Sequence, residues 1–527
     1  MTTVVGAAPA TSEAPARTAR ASRASHVLEL VREHWSIPVV AVVSVWITFR
    51  HPMSFDGSMN LQVSQSLEAG RGYARHFHTT KYFPIEIQTN GPILMLGAAF
   101  IWIFGQHNFV YQLPNVLCMI ALFAVAAAVV KGPYRNVLLV AVFLGLPELM
   151  QFGYNGYGEL PLALIELAAI LLAAKAVARQ SQRLFEAAAF LAGIGVVTKV
   201  VGVAVLIPLG VAALFFLKQE ANRSKSLARL VGALALGPFL FEIYRFVVLG
   251  SWGTWAAWWG DLLDSVRFQS GVSNTEELPI QHSIWQRLGT LASAFESGRM
   301  TIAILLMVGV AALAWGAWRL RKAIEHRETF ILRLGLAVMI TTYLLWWFFV
   351  TPDQKAWLRR IIIALLFLMI GLAHLVAHGA AEAKRDRFQM RPELLGCALA
   401  LALLVAGPAA HNARLIVKND DTELRVANAA ADFVRAAPAD ARFFGLGWWS
   451  APVISAYAER DFLDLSIFDT CTLRPEGDYL VLDRYATLIA FREPPLDQFH
   501  VTGVDVTTFS KDTTIWHIAP PADCPAG

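Results

Sequence analysis

Charged residues are scarce in this 527-residue chain, because Asp, Glu, Lys and Arg together make up 16% of it while hydrophobic residues make up 56%. A soluble globular domain usually carries about 25% charged residues. The mean hydropathy of the chain is +0.50. These values exclude a soluble globular protein and predict a polytopic α-helical membrane protein.

Motifs that bind nucleotides or nucleic acids are also missing. No glycine-rich phosphate-binding loop stands between a predicted strand and a helix, which argues against a nucleotide as an immediate donor. No surface pattern of basic and aromatic residues is present, and the sequence therefore predicts no nucleic-acid partner.

Cysteine is rare as well, with four in the chain. Cys118 and Cys397 lie in apolar segments, whereas Cys471 and Cys524 lie in the C-terminal tail. Disulfides persist in oxidising compartments and need two Cα atoms within about 7 Å. Cys471 and Cys524 could therefore pair if the tail is extracytoplasmic, and the sequence leaves open whether they do.

The apolar residues fall in long runs, each suited to a helix that crosses the bilayer. The run from Pro92 to Phe104 has only about thirteen residues, which favours a re-entrant or interfacial helix. We predict about eleven spans, at residues 37–50, 110–130, 136–150, 160–178, 184–198, 200–217, 228–248, 300–318, 330–350, 358–378 and 394–410.

Basic residues set the predicted orientation, because Lys and Arg concentrate in cytoplasmic loops. If 92–104 is not a span, nearly every basic loop lies on the side of the Arg-rich N-terminus. Residues 1–34 are predicted to form a disordered cytoplasmic arm and residues 35–410 a transmembrane domain with a first outer loop at 51–109. The N-terminus is then cytoplasmic and the C-terminus outside, across the inner (plasma) membrane.

The C-terminal segment 411–527 has a different composition, with 10 basic and 17 acidic side chains. Helical patterns alternate in it with short apolar strands, which predicts a small extracytoplasmic α/β domain. The expected order is helix 422–436, strand 442–446, helix 451–458, strand 462–466, strand 479–482 and a strand-rich end at 500–518.

Asp56 follows the first span closely and is the first candidate catalytic residue. A carboxylate there can act as a general base on a hydroxyl held at the membrane surface. The alternative is a helix N-cap, which Asp before Gly-Ser-Met-Asn also suits. The following residues predict a short amphipathic helix flat in the interface. That helix would carry Tyr73, His76 and Lys81, three candidate substrate-binding residues, across the outer rim of the bundle.

Further charges occur at predicted outer ends of spans. Glu159 is either a substrate-binding acid or an acid that favours a helix N-terminus. Lys199 lies between two apolar runs and binds either a phosphate or an acidic neighbour. Arg359 and Arg360 form a second candidate phosphate clamp, or they extend toward lipid headgroups.

Three further sets of residues can be explained by a structural role as well as by a functional one. Glu166 lies inside the bilayer and either joins an acidic cleft or is hydrogen-bonded internally. Glu242 and Arg245 are three residues apart on a helix, which favours a structural ion pair. Four tryptophans between 252 and 259 predict an interfacial aromatic belt, with stacking of one on a sugar ring as the alternative.

Taken in order, these segments resemble the GT-C glycosyltransferases, in particular bacterial relatives of protein O-mannosyltransferases and of lipid A aminoarabinose transferases. The resemblance covers roughly residues 35–220. It rests on Phe55-Asp56, Asn90-Gly91-Pro92, Ile103-Phe104-Gly105-Gln106, Leu113-Pro114-Asn115, Glu159-Leu160-Pro161 and the segment from Gly193 to Lys199.

The resemblance implies a sugar donor on a polyprenyl phosphate and a first outer loop that carries the catalytic base, here Asp56. We predict inverting transfer to a hydroxyl of a lipid, glycan or protein acceptor, with Lys199 at the donor phosphate and Arg359 or Arg360 in reserve. The family often has a second acid next to the base, where this chain has Gly57. A divalent cation, Mg²⁺ or Mn²⁺, remains a possible cofactor and its ligands are unknown.

Two other functions are compatible with a polytopic chain. A transporter or lipid flippase would use Glu166, Glu242 and Arg245 along a path, and it predicts inverted repeats, which the sequence does not show. A sensor or assembly subunit would display the acidic tail, and it predicts that Asp56 can be replaced without loss.

Overall fold

The computed structural model describes residues 33–75, 82–84, 91–149, 158–270, 283–351, 357–385, 392–418, 420–445, 451–465, 468–474, 476–483, 501–522 and 524. The described part of the chain forms a helical bundle and a small α/β domain. The predicted fold class is therefore confirmed.

The bundle is built from fifteen described helices. They are α1 Ser36–Thr48, α2 Phe55–Glu68, α3 Pro92–Phe104, α4 Asn108–Val129, α5 Arg135–Leu144, α6 Glu159–Arg179, α7 Gln182–Thr198, α8 Leu206–Leu217, α9 Arg223–Leu249, α10 Trp252–Ser270, α11 Ile284–Ala294, α12 Arg299–Leu320, α13 Arg327–Phe349, α14 Ile362–Arg385 and α15 Pro392–Lys418. Short 3₁₀ helices occupy Val200–Val205, Ile324–His326 and Leu358–Arg360.

Eight helical segments among the described residues are long and apolar enough to cross a membrane. They are Asn108–Val129, Glu159–Arg179, Val200–Leu217, Arg223–Leu249, Arg299–Leu320, Arg327–Phe349, Ile362–Glu382 and Leu394–Lys418. The runs at 37–50 and 136–150 form the shorter helices α1 and α5, and Gly145 and Pro147 end α5 after 10 residues. The total of about eleven spans therefore stays a prediction.

The core of the bundle surrounds α14. In the most apolar stretch of α14, 78% is buried inside the protein, whereas the corresponding share is 17% for α9 at the periphery. Helices α7 and α9 approach closely through glycine, since a Cβ at Gly193 would lie 2.1 Å from the carbonyl oxygen of Leu234. Small residues permit such close packing in membrane proteins, where no water-driven force holds helices together.

The tail forms the predicted α/β domain. It contains α16 Thr422–Ala436, β1 Arg442–Gly445, α17 Pro452–Ala458, β2 Phe462–Asp464, a 3₁₀ helix Thr470–Thr472, β3 Asp478–Leu482, β4 Thr502–Ser510 and β5 Thr513–Ala519.

The five strands have the order β2-β1-β3-β5-β4. Strand β1 is parallel to β2 and β3, whereas β5 is antiparallel to β3 and β4. In register, Phe443 lies opposite both Phe462 and Tyr479, and their rings stack across the sheet. A disulfide joins Cys471 to Cys524, with Cα atoms 5.5 Å apart, which answers the question that the sequence left open.

Helix α2 lies buried between the bundle and the tail. Eleven of its residues are buried, including the polar Asn60, Gln62, Ser64 and Gln65. Its polar face is therefore not exposed to water, and its position flat in the membrane interface stays a prediction. Its polar side chains are covered by α17 and α3, which supply hydrogen-bond partners that water would otherwise provide.

Candidate active site

Asp56 lies in the first turn of α2, with its carboxylate directed at Arg359. Ser54 is the N-cap of this helix, since its side chain accepts a hydrogen bond of 3.1 Å from the backbone N–H of Gly57. Asp56 is therefore not the N-cap, which was the alternative interpretation. Arg359 donates to Asp56 Oδ2, and the two side chains are 17% and 26% exposed. A partly exposed carboxylate held beside a cation remains accessible to a substrate.

Arg359 and Arg360 lie side by side on the 3₁₀ helix that precedes α14. The Arg359 guanidinium carbon is 4.2 Å from the centre of the Trp357 ring. Burial and the nearby charge of Arg287 lower the pKa of Arg360 to about 10, against the opposing effect of Glu159. Arg360 loses its proton only as the pH rises through that value, so it is positively charged at neutral pH.

Glu159 and Lys199 form a second, more deeply buried ion pair. Glu159 opens α6 after Gly158, whose φ of +84° requires the left-handed region that glycine tolerates. Lys199 Nζ lies 2.5 Å from Glu159 Oε1, and the two side chains are 12% and 5% exposed. Among the described residues Glu159 Oε2 is buried without a hydrogen-bond partner. That oxygen can accept a hydrogen bond from a substrate or contact a cation.

The fold thus brings together five residues that the sequence singled out from distant segments. Asp56 contacts Arg359, and Glu159 contacts Lys199. Arg360, next to Arg359, links the two pairs, because the charge of Glu159 acts on its pKa. Each of the two acids lies against a base, so both negative charges are compensated at close range. The arrangement offers two carboxylates for proton transfer and three cations for a phosphate.

Arg287, on α11, belongs to the same charged region and was not predicted. It is buried and donates from Nη2 to the carbonyl oxygen of Thr351 at 3.1 Å, and its guanidinium also bonds to Trp347. It thereby holds the C-terminal end of α13, which leads toward Arg359. The signal in the sequence is the capping box of Ser283 and Gln286, which begins an amphipathic helix that places an arginine on its buried face.

Tyr73 lies in a cluster of aromatic side chains and is fully buried. Its ring stacks on Phe83 at 4.4 Å between centres and meets Phe241 edge-on. Burial raises the pKa of the Tyr73 hydroxyl, so the group stays protonated. This placement favours a packing role, and substrate binding by Tyr73 stays a prediction. His76 and Lys81 lie outside the described residues.

The tryptophans of α10 pack around the ion pair of Glu242 and Arg245. Glu242 accepts hydrogen bonds from the indoles of Trp255 and Trp259 at 3.1 and 3.2 Å. The Arg245 guanidinium carbon lies 3.8 Å from the centre of the Trp258 ring. The structural ion pair predicted from the three-residue spacing is present.

The carboxylate of Glu166 is hydrogen-bonded to a neighbouring helix of the bundle. It is buried in α6 and accepts from the hydroxyl of Tyr343 at 3.1 and 3.3 Å. Of the two interpretations of Glu166, the structure favours an internally bonded acid over a member of an acidic cleft.

A small cleft opens beside α2, between α3, α4 and α6. Its walls include the polar side chains of Asn60, Ser64, Tyr111 and Asn115 among apolar ones. Asn60 is one helical turn beyond Asp56, so the two side chains project from nearly the same face of α2.

Among the described residues, no group of three or more His, Cys, Asp and Glu side chains is arranged to hold a metal ion. Glu159 and Asp56 are the carboxylates nearest the cations of the site. A requirement for Mg²⁺ or Mn²⁺ therefore stays a prediction.

Comparisons with known proteins agree with the fold. Residues 93–244 match the family model of dolichyl-phosphate-mannose-protein mannosyltransferases. A comparison with curated protein sequences finds no significant match.

Three solved structures are similar to this chain. ArnT from Cupriavidus metallidurans, in the apo state, is 14% identical with a TM-score of 0.50, and the match covers 94% of this chain and 98% of ArnT. The same ArnT bound to undecaprenyl phosphate gives the same identity and TM-score, covering 94% and 99%. An oligosaccharyltransferase from Archaeoglobus fulgidus, in complex with Zn and sulfate, is 12% identical with a TM-score of 0.46, covering 93% and 74%.

The chain therefore has an ArnT-like fold over nearly its whole length. The resemblance to the GT-C superfamily of membrane glycosyltransferases, predicted from motifs in residues 35–220, is confirmed.

Proposed function

We propose that this protein is a membrane glycosyltransferase that moves a sugar from a polyprenyl phosphate to a hydroxyl group of an acceptor. The observation that carries the proposal is the cluster of two acids, Asp56 and Glu159, with the bases Arg359, Arg360 and Lys199 in one region of an ArnT-like fold. A ligand with a phosphate and a reacting hydroxyl needs both a base and several cations, and this region offers both. The ArnT structure bound to undecaprenyl phosphate supports a lipid-linked donor.

In the proposed reaction, Asp56 accepts the proton of the acceptor hydroxyl as its oxygen attacks C1 of the sugar. The bond from C1 to the phosphate oxygen breaks, and the polyprenyl phosphate leaves with the bonding electron pair. Attack from the side opposite the leaving group inverts the configuration at C1. Proton transfer and bond cleavage leave one glycosylated acceptor and one free polyprenyl phosphate.

Lys199, Arg359 and Arg360 are proposed to stabilise the negative charge that grows on the leaving phosphate. Arg359 already contacts Asp56, and its planar guanidinium carries five N–H donors. It can therefore contact the phosphate and the base together, which aligns the attacking and leaving groups. If a divalent cation takes part, Glu159 Oε2 and Asp56 are the carboxylate oxygens on hand to hold it, and the ion would neutralise phosphate charge.

The proposed face of the membrane is the extracytoplasmic one. The disulfide of Cys471 and Cys524 in the tail supports an oxidising compartment. The basic loops support a cytoplasmic N-terminus, and the cell's inner (plasma) membrane is the proposed location. A lipid, a glycan or a protein would supply the acceptor hydroxyl.

The test compares wild type with Asp56→Asn in reconstituted vesicles, following labelled sugar from a panel of polyprenyl-phosphate sugars. We expect transfer to fall at least about a hundredfold, because the amide cannot accept the proton. Asp432→Asn, on an exposed part of α16, is the matched control and should transfer normally. Equal transfer by wild type and Asp56→Asn would remove Asp56 from the mechanism.

The residues that a transporter would use along its path give that function less support. Glu166 is bonded to Tyr343, and Glu242 and Arg245 are bonded to each other and to tryptophans. If no donor in the panel supports transfer by wild type, the glycosyltransferase proposal fails and lipid translocation becomes the next assay.

A further inference from the structure

Helix α17 of the tail lies against α2, the helix that carries Asp56. Gln65 donates to the carbonyl oxygen of Ala456 at 2.8 Å, and Gln62 donates to Pro452 and Ser455 at 3.4 Å. Both glutamines are buried. Backbone and side-chain groups of the tail therefore satisfy polar groups of α2 that would otherwise be buried without partners.

The contact with α17 lies on the side of α2 that faces away from Asp56. Gln65 is nine residues beyond Asp56, which is two and a half turns of an α-helix, so the two side chains project in opposite directions. Asp56 contacts Arg359 on the bundle side, while Gln65 contacts the tail. The helix is therefore held from both sides.

Tyr457 of α17 joins three segments at the start of α2. Its hydroxyl accepts a hydrogen bond of 2.9 Å from the backbone N–H of Met53 and donates to the side chain of Asn108. Asn108 in turn donates to the carbonyl oxygen of Thr48 at 2.9 Å. The end of α1, the start of α2 and the start of α4 thus meet at one buried hydroxyl.

Apolar packing also holds the start of α2 against the tail domain. Met53 and Leu61 belong to one continuous hydrophobic cluster with residues of the tail such as Ile454 and Phe462. The Tyr457 ring also lies 5.6 Å from the ring of Tyr111 in α4. The start of α2 therefore packs into the core of the tail domain and cannot shift without opening it.

We infer that the C-terminal domain positions the catalytic helix, with Tyr457 as the positioning residue that sets where the Asp56 carboxylate meets Arg359. This inference rests on the proposed function. Tyr457 contacts Met53, which precedes Asp56 by three residues, and it touches no substrate in this scheme. It acts through Met53 and the first turn of α2.

The first test uses hydrogen exchange in the full-length protein, with no substrate present. Tyr457→Phe removes the acceptor of the Met53 N–H and leaves that group buried without a partner. We expect backbone exchange across residues 53–60 to rise about tenfold. Tyr479→Phe is the matched control, because that ring stacks on Phe443 within the sheet of the same domain. Unchanged exchange at 53–60 in Tyr457→Phe would overturn the inference.

The second test separates positioning from general stability. We expect Tyr457→Phe to lower kcat about tenfold while the KM values for donor and acceptor stay within about twofold of wild type, since only the base is displaced. Gln65→Met removes the bond to Ala456 with little change in volume, and it should lower kcat in the same way. Normal kcat in both variants would overturn the inference.

The two proposals fail in distinguishable ways. If no donor in the panel supports transfer by wild type, the proposed function fails, while faster exchange at 53–60 in Tyr457→Phe still shows that the tail holds α2. If Asp56→Asn is inactive and Tyr457→Phe matches wild type in exchange and kcat, the positioning inference alone fails.

Discussion

Each acid of the candidate site is paired with a base from another part of the chain. Asp56 and Arg359 are 303 residues apart, and Glu159 and Lys199 are 40 apart. Removing one partner of a buried pair leaves an uncompensated charge, which costs about 3–5 kcal/mol. A change at either residue of such a pair therefore affects both stability and chemistry, and experiments must separate the two.

Lys199→Met tests the buried pair. We expect the free energy of unfolding to fall by roughly 3–5 kcal/mol, because Glu159 remains buried without its cation. Thermal unfolding in detergent, followed by fluorescence-detected chromatography, measures the loss.

The double variant Lys199→Met with Glu159→Gln is the control, since it removes both charges together. We expect it to recover much of the stability but little of the transfer activity, because one of the three cations proposed for the leaving phosphate is then lost. Recovery of activity along with stability would show that Lys199 serves only to neutralise Glu159.

Sequence spacing predicted some contacts at this scale and not others. The Glu242 and Arg245 pair follows from their positions one helical turn apart. The partner of Asp56 does not follow from any spacing, because it depends on how the 3₁₀ helix before α14 packs beside α2. The sequence singled out Arg359 as a phosphate ligand, and only the fold shows that it also contacts the candidate base.

At the scale of elements, helix α2 shows where periodicity is ambiguous. Its polar residues indicated a face toward water, and the helix is instead buried with those residues bonded to α17 and α3. A polar face predicts hydrogen-bond partners and does not say whether water or protein supplies them. The bounds of the tail elements were more predictable, since short apolar strands are separated there by turn residues.

The close packing of α7 and α9 provides an element-scale prediction. Gly193→Ala places a Cβ against the backbone carbonyl of Leu234, which no rotation of a side chain can relieve. We expect the free energy of unfolding to fall by about 1–3 kcal/mol. Gly232→Ala, in α9 with open space around its Cβ, should be neutral or stabilising by up to about 1 kcal/mol. Similar melting temperatures for the two variants would contradict the close packing.

At the scale of the whole molecule, composition and hydrophobic pattern predicted a helical membrane domain followed by an α/β domain. It could not predict that the two share a hydrophobic core, because that depends on which faces of α2 and α17 meet. The family resemblance reached only the first 220 residues, whereas the similarity of fold to ArnT covers 94% of the chain.

The disulfide of the tail provides a prediction at this scale. The bond closes a segment of 53 residues, and a loop of that length stabilises a fold by about 4 kcal/mol through the unfolded chain. We expect Cys471→Ser with Cys524→Ser to increase proteolysis of the tail in membranes, measured by pulse proteolysis. Cys118→Ala, in the bundle, is the control. Free thiols at both positions in purified protein would argue against an oxidising compartment.

The contact between α2 and α17 also has a consequence during biosynthesis. Gln62 and Pro452 are 390 residues apart, and chains are synthesised at about 5–20 residues per second, so roughly 20–80 seconds separate the two. During that interval the polar side of α2 has no partner from the tail. The helix that carries Asp56 is thus among the first segments made, and its surroundings are completed only when the tail has been synthesised and folded, so a nascent chain cannot assemble this site early.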